Sequence, residues 1–158
     1  MTFGDADRDD NGEIPEWARA LGLEPHPEGG WYRETWRSDL ELPATVLPGY
    51  PASRSAGTAI LFLLMRGQQS AWHTVRGAEL WLYHRGSPVL LEIAEPGPEP
   101  GEITEYLVGP DFAEGHRPQV VVPPGHWQRA RPAGSEPSLV GCVVVPGFDF
   151  DDFTLAGS

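Results

Sequence analysis

The sequence predicts an all-β fold, either a sandwich or a closed barrel, with one short helix near its start. The chain has 158 residues, a length that suits a single domain. Its 19 glycines and 17 prolines are spread between short apolar runs, a pattern typical of many turns between short strands. Nothing in the pattern alternates strands with long helices, which argues against a parallel α/β sheet.

The elements follow in order from local signals. A helix is predicted at residues 15–21 (PEWARAL), where a proline opens a run of helix formers and Gly22 ends it. Strands are predicted at residues 31–38, 58–65, 70–75, 79–85, 89–93, 104–108, 119–122, 126–130 and 139–145. Residues 39–57 and 94–101 are predicted loops, which either cover a binding site or merely connect strands.

Charge and composition exclude several function classes. The chain carries 23 acidic and 11 basic residues, a net charge of −12, so it lacks the basic face that nucleic acid and anionic membranes need. All 11 basic residues are arginine, which excludes a lysine Schiff base, pyridoxal phosphate anchoring and a Walker lysine. Cys142 is the single cysteine; disulfides within the chain and Cys-rich zinc sites are excluded, and a buried, inert thiol is expected.

The beginning of the chain predicts its organisation and location. Residues 1–13 are predicted to be a disordered acidic tail, and residues 14–158 a single domain. The first residues lack the basic start and apolar stretch of a signal peptide, and no apolar run approaches the ~20 residues that span a bilayer. A cytoplasmic protein is therefore expected.

Two stretches carry a recognisable spacing. In residues 67–86, GQQSAWHTVRGAELWLYHRG, the first residue, Gly67, is followed by His73, Val75 and Glu79, and Gly86 ends the stretch. Residues 123–128 read PPGHWQ and end at Gln128. The two stretches resemble the cupin motifs Gly-x5-His-x-His-x3–4-Glu-x6-Gly and Pro-x-Gly-x-x-His. Valine replaces the second histidine of the first motif, and glutamine replaces the histidine of the second.

Further segments resemble a narrower family of small single-domain cupins, sometimes called cupin family five. They include HPEGGWYRET at residues 26–35 and PGFDFDDF at residues 146–153. The resemblance covers roughly residues 14–155. It implies a double-stranded β-helix, or jelly roll, that is usually a homodimer and is similar in shape to dTDP-sugar epimerases. The alternating phenylalanines of residues 146–153 suit a terminal strand that packs across the barrel or on a partner subunit.

His73 and Glu79 are the central candidate residues. The motifs imply that both point into the mouth of the barrel, where His73 would move a proton and Glu79 would orient the imidazole. They could equally hydrogen-bond each other and only bind a ligand. If a metal is bound, the expected ligands are His73, Glu79 and Gln128, with His126 as a substitute for a missing imidazole.

Other side chains are predicted to hold the ligand. Trp81 and Tyr83 alternate with Glu79 and so share its face, where they would form an aromatic wall, with Tyr83 as a third catalytic candidate. On the first long strand, Tyr32, Glu34 and Trp36 are predicted to share one face. The ligand-binding candidates are Tyr32, Arg33, Glu34, Trp81, Gln119, Trp127 and Gln128. His26 and His116 lie in predicted loops and are expected to be exposed to solvent.

The function predicted from these residues is a metal-independent isomerase or epimerase that acts on a polar carbonyl compound or a sugar-like ligand. One alternative is a non-catalytic protein that binds or senses a small molecule. A second is a metal-dependent oxygenase or lyase. No cofactor is predicted to be required, and a divalent transition metal is the alternative. The expected partners are a small molecule and a second copy of the chain.

Overall fold

The computed structural model describes residues 14–157, so the predicted tail at residues 1–13 lies outside the described part of the chain. The predicted first helix is present as a 3₁₀ helix at Glu16–Leu21. Pro15 precedes it in extended conformation, and Gly22 ends it with φ 68°, a left-handed conformation that favours glycine. Within residues 14–157, no helix is long and apolar enough to cross a membrane.

Strands dominate the rest of the described chain, as predicted. They are β1 (Glu24–Pro25), β2 (Trp31–Arg37), β3 (Glu41–Leu42), β4 (Arg54–Ser55), β5 (Thr58–Leu64), β6 (His73–Val75), β7 (Ala78–Gly86), β8 (Val89–Ala94), β9 (Ile103–Val108), β10 (Gln119–Val122), β11 (Trp127–Pro132), β12 (Ser138–Val145) and β13 (Phe153–Leu155). Three further 3₁₀ helices lie at Ala44–Val46, Phe112–Glu114 and Phe150–Asp152.

The main disagreement with the predicted elements concerns the loop at residues 39–57. This segment contains the short pair β3 and β4, which hydrogen-bond only to each other, and the 3₁₀ helix Ala44–Val46. Strands of two residues are too short to show the alternation that identifies a strand in a sequence. The predicted connection at residues 94–101 does link β8 to β9.

Two antiparallel sheets face each other and form the double-stranded β-helix. One sheet has the strand order β1-β2-β5-β12-β7-β10, and the other has the order β13-β6-β11-β8-β9. The jelly-roll prediction is therefore confirmed. Buried side chains of both sheets fill the space between them. These are Phe62, Leu64, Trp81, Val89, Leu91, Ile93, Val108, Val120, Val122, Ala130, Val140 and Cys142.

A β-bulge corrects the predicted faces of β2. The register with β5 shifts between Glu34 and Trp36, so that Trp36 pairs with Ala59 while Tyr32 pairs with Phe62. Directly paired residues share a face of a sheet. Trp36 therefore lies on the outer face rather than with Tyr32, because an extra residue in one strand reverses the alternation beyond it.

A buried ion pair fastens the C-terminal segment to the body of the protein. Asp152 accepts hydrogen bonds from Arg54 Nε at 2.8 Å and Nη2 at 2.9 Å, and from Arg76 Nε at 2.8 Å. Burial opposes ionisation, but the hydrogen bonds from both guanidinium groups outweigh it and lower the pKa of Asp152. The ion pair joins β4, Arg76 after β6 and the helix Phe150–Asp152, which directly precedes β13.

Candidate functional site

A cavity lies between the two sheets near the C-terminal segment. Its volume is about 380 Å³, including the part open to solvent. Its apolar wall consists of Ile60, Phe62, Val75, Val144, Phe148 and Phe153. Its polar wall consists of His26, Glu28, His73, Glu79 and Cys142. The cavity therefore combines titratable groups with a mainly apolar lining, as ligand sites commonly do.

Glu28 reaches the cavity because of the tight turn that precedes β2. Two backbone hydrogen bonds close the turn, from His26 N to Gly30 O and from Gly29 N to His26 O. Gly30 has φ 83°, and a Cβ there would lie 2.8 Å from the ring of Phe62. Only glycine allows this close approach. The backbone carbonyl of Glu28 accepts a hydrogen bond from Ala71 N at 2.7 Å. This bond holds the turn against the segment that leads into β6, and the Glu28 side chain lies beside His73.

His73 is held at both ring nitrogens. Nδ1 donates to the carbonyl of Ala71 at 2.8 Å, and Nε2 lies 2.7 Å from Glu28 Oε2. Burial alone would lower the pKa of His73, but the charge of Glu28 and the hydrogen bond to it outweigh burial and raise the pKa to about 9. His73 is therefore an imidazolium at neutral pH. The sequence analysis missed Glu28, although it lies in the HPEGGW segment that carried the family resemblance.

Glu79 is the second titratable group of the cavity and is held from the opposite sheet. Gln128 Nε2 donates to Glu79 Oε1 at 2.8 Å, and Trp81 Nε1 donates to Gln128 Oε1 at 2.9 Å. The thiol of Cys142 also donates to Glu79. Burial and the charge of Glu28 raise the pKa of Glu79 to about 7. A carboxyl group with this pKa can give or take a proton near neutral pH.

The same contacts predict how stability depends on pH. The pKa of His73 is about 9 in the folded protein against an ordinary 6.5, so its contribution is complete below pH 6.5 and lost toward pH 9. We expect the free energy of unfolding, measured by urea titration, to fall over this interval. Glu28→Gln should make the fall smaller, because it removes the charge that raises the pKa. An equally steep fall in that variant would contradict this explanation.

His26 is buried, which corrects the expectation that it is exposed. Its side chain retains 6% of its accessible surface, and its ring packs edge-on against Tyr32 at 4.5 Å and Phe62 at 5.8 Å. Nδ1 accepts a hydrogen bond from Glu28 N at 3.1 Å. Burial lowers the pKa of His26, so this imidazole is neutral and supports the turn that carries Glu28. Tyr32, a predicted ligand-binding residue, lies behind His26.

Two predicted residues lie on the outer face of the larger sheet. Arg33 pairs with Leu61 in the register, and Gln119 pairs with Leu82, whereas their neighbours Phe62 and Trp81 face the core. Both are exposed. Arg33 donates to Leu21 O at 3.2 Å. Side chains on this face cannot contact a ligand between the sheets.

The remaining predicted residues are engaged elsewhere. Glu34 is exposed and pairs with Arg37, and the indole of Trp127 donates to Gly97 O at 3.0 Å. Tyr83 does face inward, as its alternation with Glu79 predicted, but its hydroxyl donates to Gly86 O at 2.7 Å. Four residues of strand separate Tyr83 from Glu79 by about 13 Å, so Tyr83 fills the barrel away from the cavity.

The residues of the cavity do not fit the predicted metal site. Gln128 Oε1, the atom that would bind a metal, accepts the indole hydrogen bond of Trp81. Both ring nitrogens of His73 are already engaged, and Val75 offers no ligand atom. Within residues 14–157, no group of three or more His, Cys, Asp or Glu side chains is arranged to hold a metal ion. His126, the proposed substitute, is not among the residues that line the cavity.

Comparison with known proteins places the chain in a family. A family model described as "Cupin superfamily (DUF985)" matches residues 15–156. A curated relative, the uncharacterized protein YML079W of Saccharomyces cerevisiae, is 28% identical over 148 residues. The match covers 82% of this chain and 68% of the yeast protein.

Two solved structures have the same fold and clear sequence similarity. A hypothetical protein from Leishmania major has a TM-score of 0.77 and 33% identity, and the match covers 87% of this chain and 84% of that one. Protein SO0799 from Shewanella oneidensis has a TM-score of 0.75 and 38% identity, with 89% and 82% covered. These matches agree with the family model over nearly the whole described chain.

Proposed function

Because the chain belongs to the cupin superfamily family DUF985, we propose that its cavity binds a small molecule and that the protein is a metal-independent isomerase or epimerase for a carbonyl compound. The single observation that carries the proposal is the pairing of two groups in one cavity. Glu79 has a pKa of about 7, and His73 stays charged beside it. Such a pair of groups, whose pKa values lie on either side of the working pH, suits proton transfer.

The contacts support a division of roles opposite to the one predicted from the sequence. His73 cannot act as a base while Ala71 and Glu28 keep it protonated. The Glu79 carboxylate is the better base, and it takes a proton from the carbon beside the carbonyl group. The electron pair of the broken C–H bond moves to the carbonyl oxygen, which accepts a hydrogen bond from the carboxyl proton that Glu79 now carries, while the charge of His73 neutralises the neighbouring Glu28 carboxylate. The proton returns from Glu79 to the same carbon. In an α-hydroxy carbonyl compound it can instead return to the former carbonyl carbon, once the proton of the hydroxyl group has moved to the enolate oxygen and left a new carbonyl group on the neighbouring carbon.

Deuterium exchange tests this proposal. In deuterated water, the protein is expected to catalyse the loss of the α-proton of small carbonyl compounds such as hydroxyacetone and dihydroxyacetone, followed by proton NMR. A compound that binds but does not exchange would instead support the alternative of a non-catalytic binding or sensor protein. Exchange that is lost in Glu79→Gln but unchanged in His73→Asn, which leaves the Glu28 carboxylate without its partner, would leave His73 without the assigned role.

We also propose that the protein is a homodimer that pairs through the outer face of the larger sheet. The register aligns one apolar residue from each of five neighbouring strands: Trp36, Ala59, Val143, Leu80 and Val121. The ends of this row are exposed, Trp36 by 52% and Val121 by 56%. An apolar row across five of the six strands of a sheet is typical of an interface, and a self-complementary face favours a two-fold dimer.

Val121→Glu is expected to convert the dimer to a monomer, because it places a charge in the apolar row, which would be buried twice in a two-fold interface. Sedimentation equilibrium measures the mass against the 17.3 kDa of one chain. Thr104→Glu, on an exposed position of β9 in the other sheet, should leave the dimer intact. A monomeric unsubstituted protein would overturn the proposal.

A further inference from the structure

We infer that the cavity selects a small uncharged carbonyl compound and excludes carboxylates and phosphates. The inference rests on the proposed function, because it names the substrate class of the same site. Three features support it: the charges that line the cavity, the pairing of the arginines that contact the C-terminal segment, and the size of the cavity.

The lining of the cavity offers an anion no free positive charge. The described lining contains no arginine, and its one charged base, His73, lies 2.7 Å from the Glu28 carboxylate. Glu79 adds a second carboxyl group, and above its pKa of about 7 it gives the lining a net negative charge. A ligand carboxylate would therefore lose its hydration without gaining a partner, which is costly in a buried site.

The arginines that contact the C-terminal segment are also already paired with carboxylates. Arg54 and Arg76 share Asp152, and Arg37 binds Glu34 as well as the carbonyl of Phe148. An incoming phosphate would have to displace one of these carboxylates. The net charge of −12 further lowers the local concentration of anions.

The size and lining of the cavity limit the uncharged ligand. The cavity volume is about 380 Å³ including the part open to solvent, at the lower end of the range of roughly 300–1,000 Å³ for ligand pockets. The lining also includes the rings of Phe148 and Phe153. A compound of a few heavy atoms fits, with its polar end at Glu79 and a methyl or similar group on the rings.

Pyruvate and pyruvamide provide a matched pair of probes. They share the methyl ketone skeleton and differ in a carboxylate against an uncharged amide. In a titration followed by protein NMR at pH 8, pyruvamide and hydroxyacetone are expected to bind at least about tenfold more tightly than pyruvate, the effect of one unfavourable charge interaction. Equal or tighter binding of pyruvate would overturn the inference. So would the absence of binding by both uncharged probes up to their solubility limits.

Glu28→Gln tests the cause of the selectivity. Without the Glu28 carboxylate, burial lowers the pKa of His73, but the carboxylate of pyruvate can take the place of Glu28 beside the ring and His73 can bind a proton together with it, so at pH 6 the preference for pyruvamide over pyruvate should shrink toward one. Glu92→Gln is the matched control, since Glu92 pairs with Arg129 away from the cavity. A preference that is unchanged in Glu28→Gln would contradict the charge argument, and folding of both variants is checked by their NMR spectra.

The inference and the proposed function fail in different ways. Binding that favours the uncharged probes without any deuterium exchange would refute the proton-transfer function and leave the selectivity standing. Faster exchange of pyruvate than of pyruvamide would refute the selectivity and leave the acid–base function standing.

Discussion

Glu79→Gln is expected to reduce the rate of α-proton exchange by on the order of 10²–10⁴-fold, the usual contribution of a positioned acid–base group. The amide keeps the size of the side chain, and its oxygen can still accept the hydrogen bond from Gln128 Nε2. It cannot take a proton from carbon. The measurement is the initial rate of deuterium incorporation by NMR with a compound that the unsubstituted protein exchanges.

The pH profile of the same reaction gives an independent readout. The rate should rise as Glu79 ionises near pH 7 and fall as His73 loses its proton near pH 9, which produces a bell-shaped profile. Glu92→Gln should reproduce the profile of the unsubstituted protein. Exchange that persists at full rate in Glu79→Gln would show that the base is another group, with the buried thiol of Cys142 the next one to replace.

Asp152→Asn is expected to lower the free energy of unfolding by about 3–5 kcal/mol, the cost of breaking a buried ion pair by removing one partner. The change leaves the guanidinium groups of Arg54 and Arg76 without their carboxylate. Arg54 is the more affected, because only 4% of its side chain is exposed. The unfolding free energy is measured by urea denaturation near neutral pH.

Glu34→Gln is the matched control for this change. It also removes a carboxylate from an arginine, but the pair with Arg37 is half-exposed, and such pairs contribute only about 0–1 kcal/mol. Equal losses in the two variants would contradict the assignment of Asp152 as the main fastening of the C-terminal segment. Asp152→Asn should also weaken ligand binding, because the segment it holds carries Phe153 in the cavity wall.

The pairing of His73 with Glu28 favours other roles for His73 and Glu79 than those predicted from the sequence. Spacing identified His73 and Glu79 as inward-facing, and both line the cavity. The pKa of each depends on the charge nearest to it, and for both that charge is Glu28. Glu28 lies 45 residues before His73 in the chain, in a turn with no periodic pattern.

The predicted ligand-binding set shows a second limit of sequence patterns. Alternation placed Tyr83 on the same face as Glu79, and Tyr83 does face inward. Alternation does not show how far along the strand a residue lies from the cavity. Arg33 and Gln119 were attractive because they are polar residues in β-rich runs. They pair with Leu61 and Leu82, which lie on the outer face of the sheet, so Arg33 and Gln119 also point outward. The sequence does not show this, because the pairing depends on which strands become neighbours in the fold.

The sequence by itself determined the fold class, most of the strands and the two central residues of the cavity. The fold class and the strands follow from local composition and the alternation of apolar residues, and the two residues follow from stretches that resemble the cupin motifs, all of which can be read along the chain. Tertiary structure decided the partner of His73, the buried state of His26, the outward turn of Trp36 and the fastening of Asp152. Each of these depends on contacts between distant segments, and the energies of buried charges are set by such contacts rather than by neighbours in the sequence.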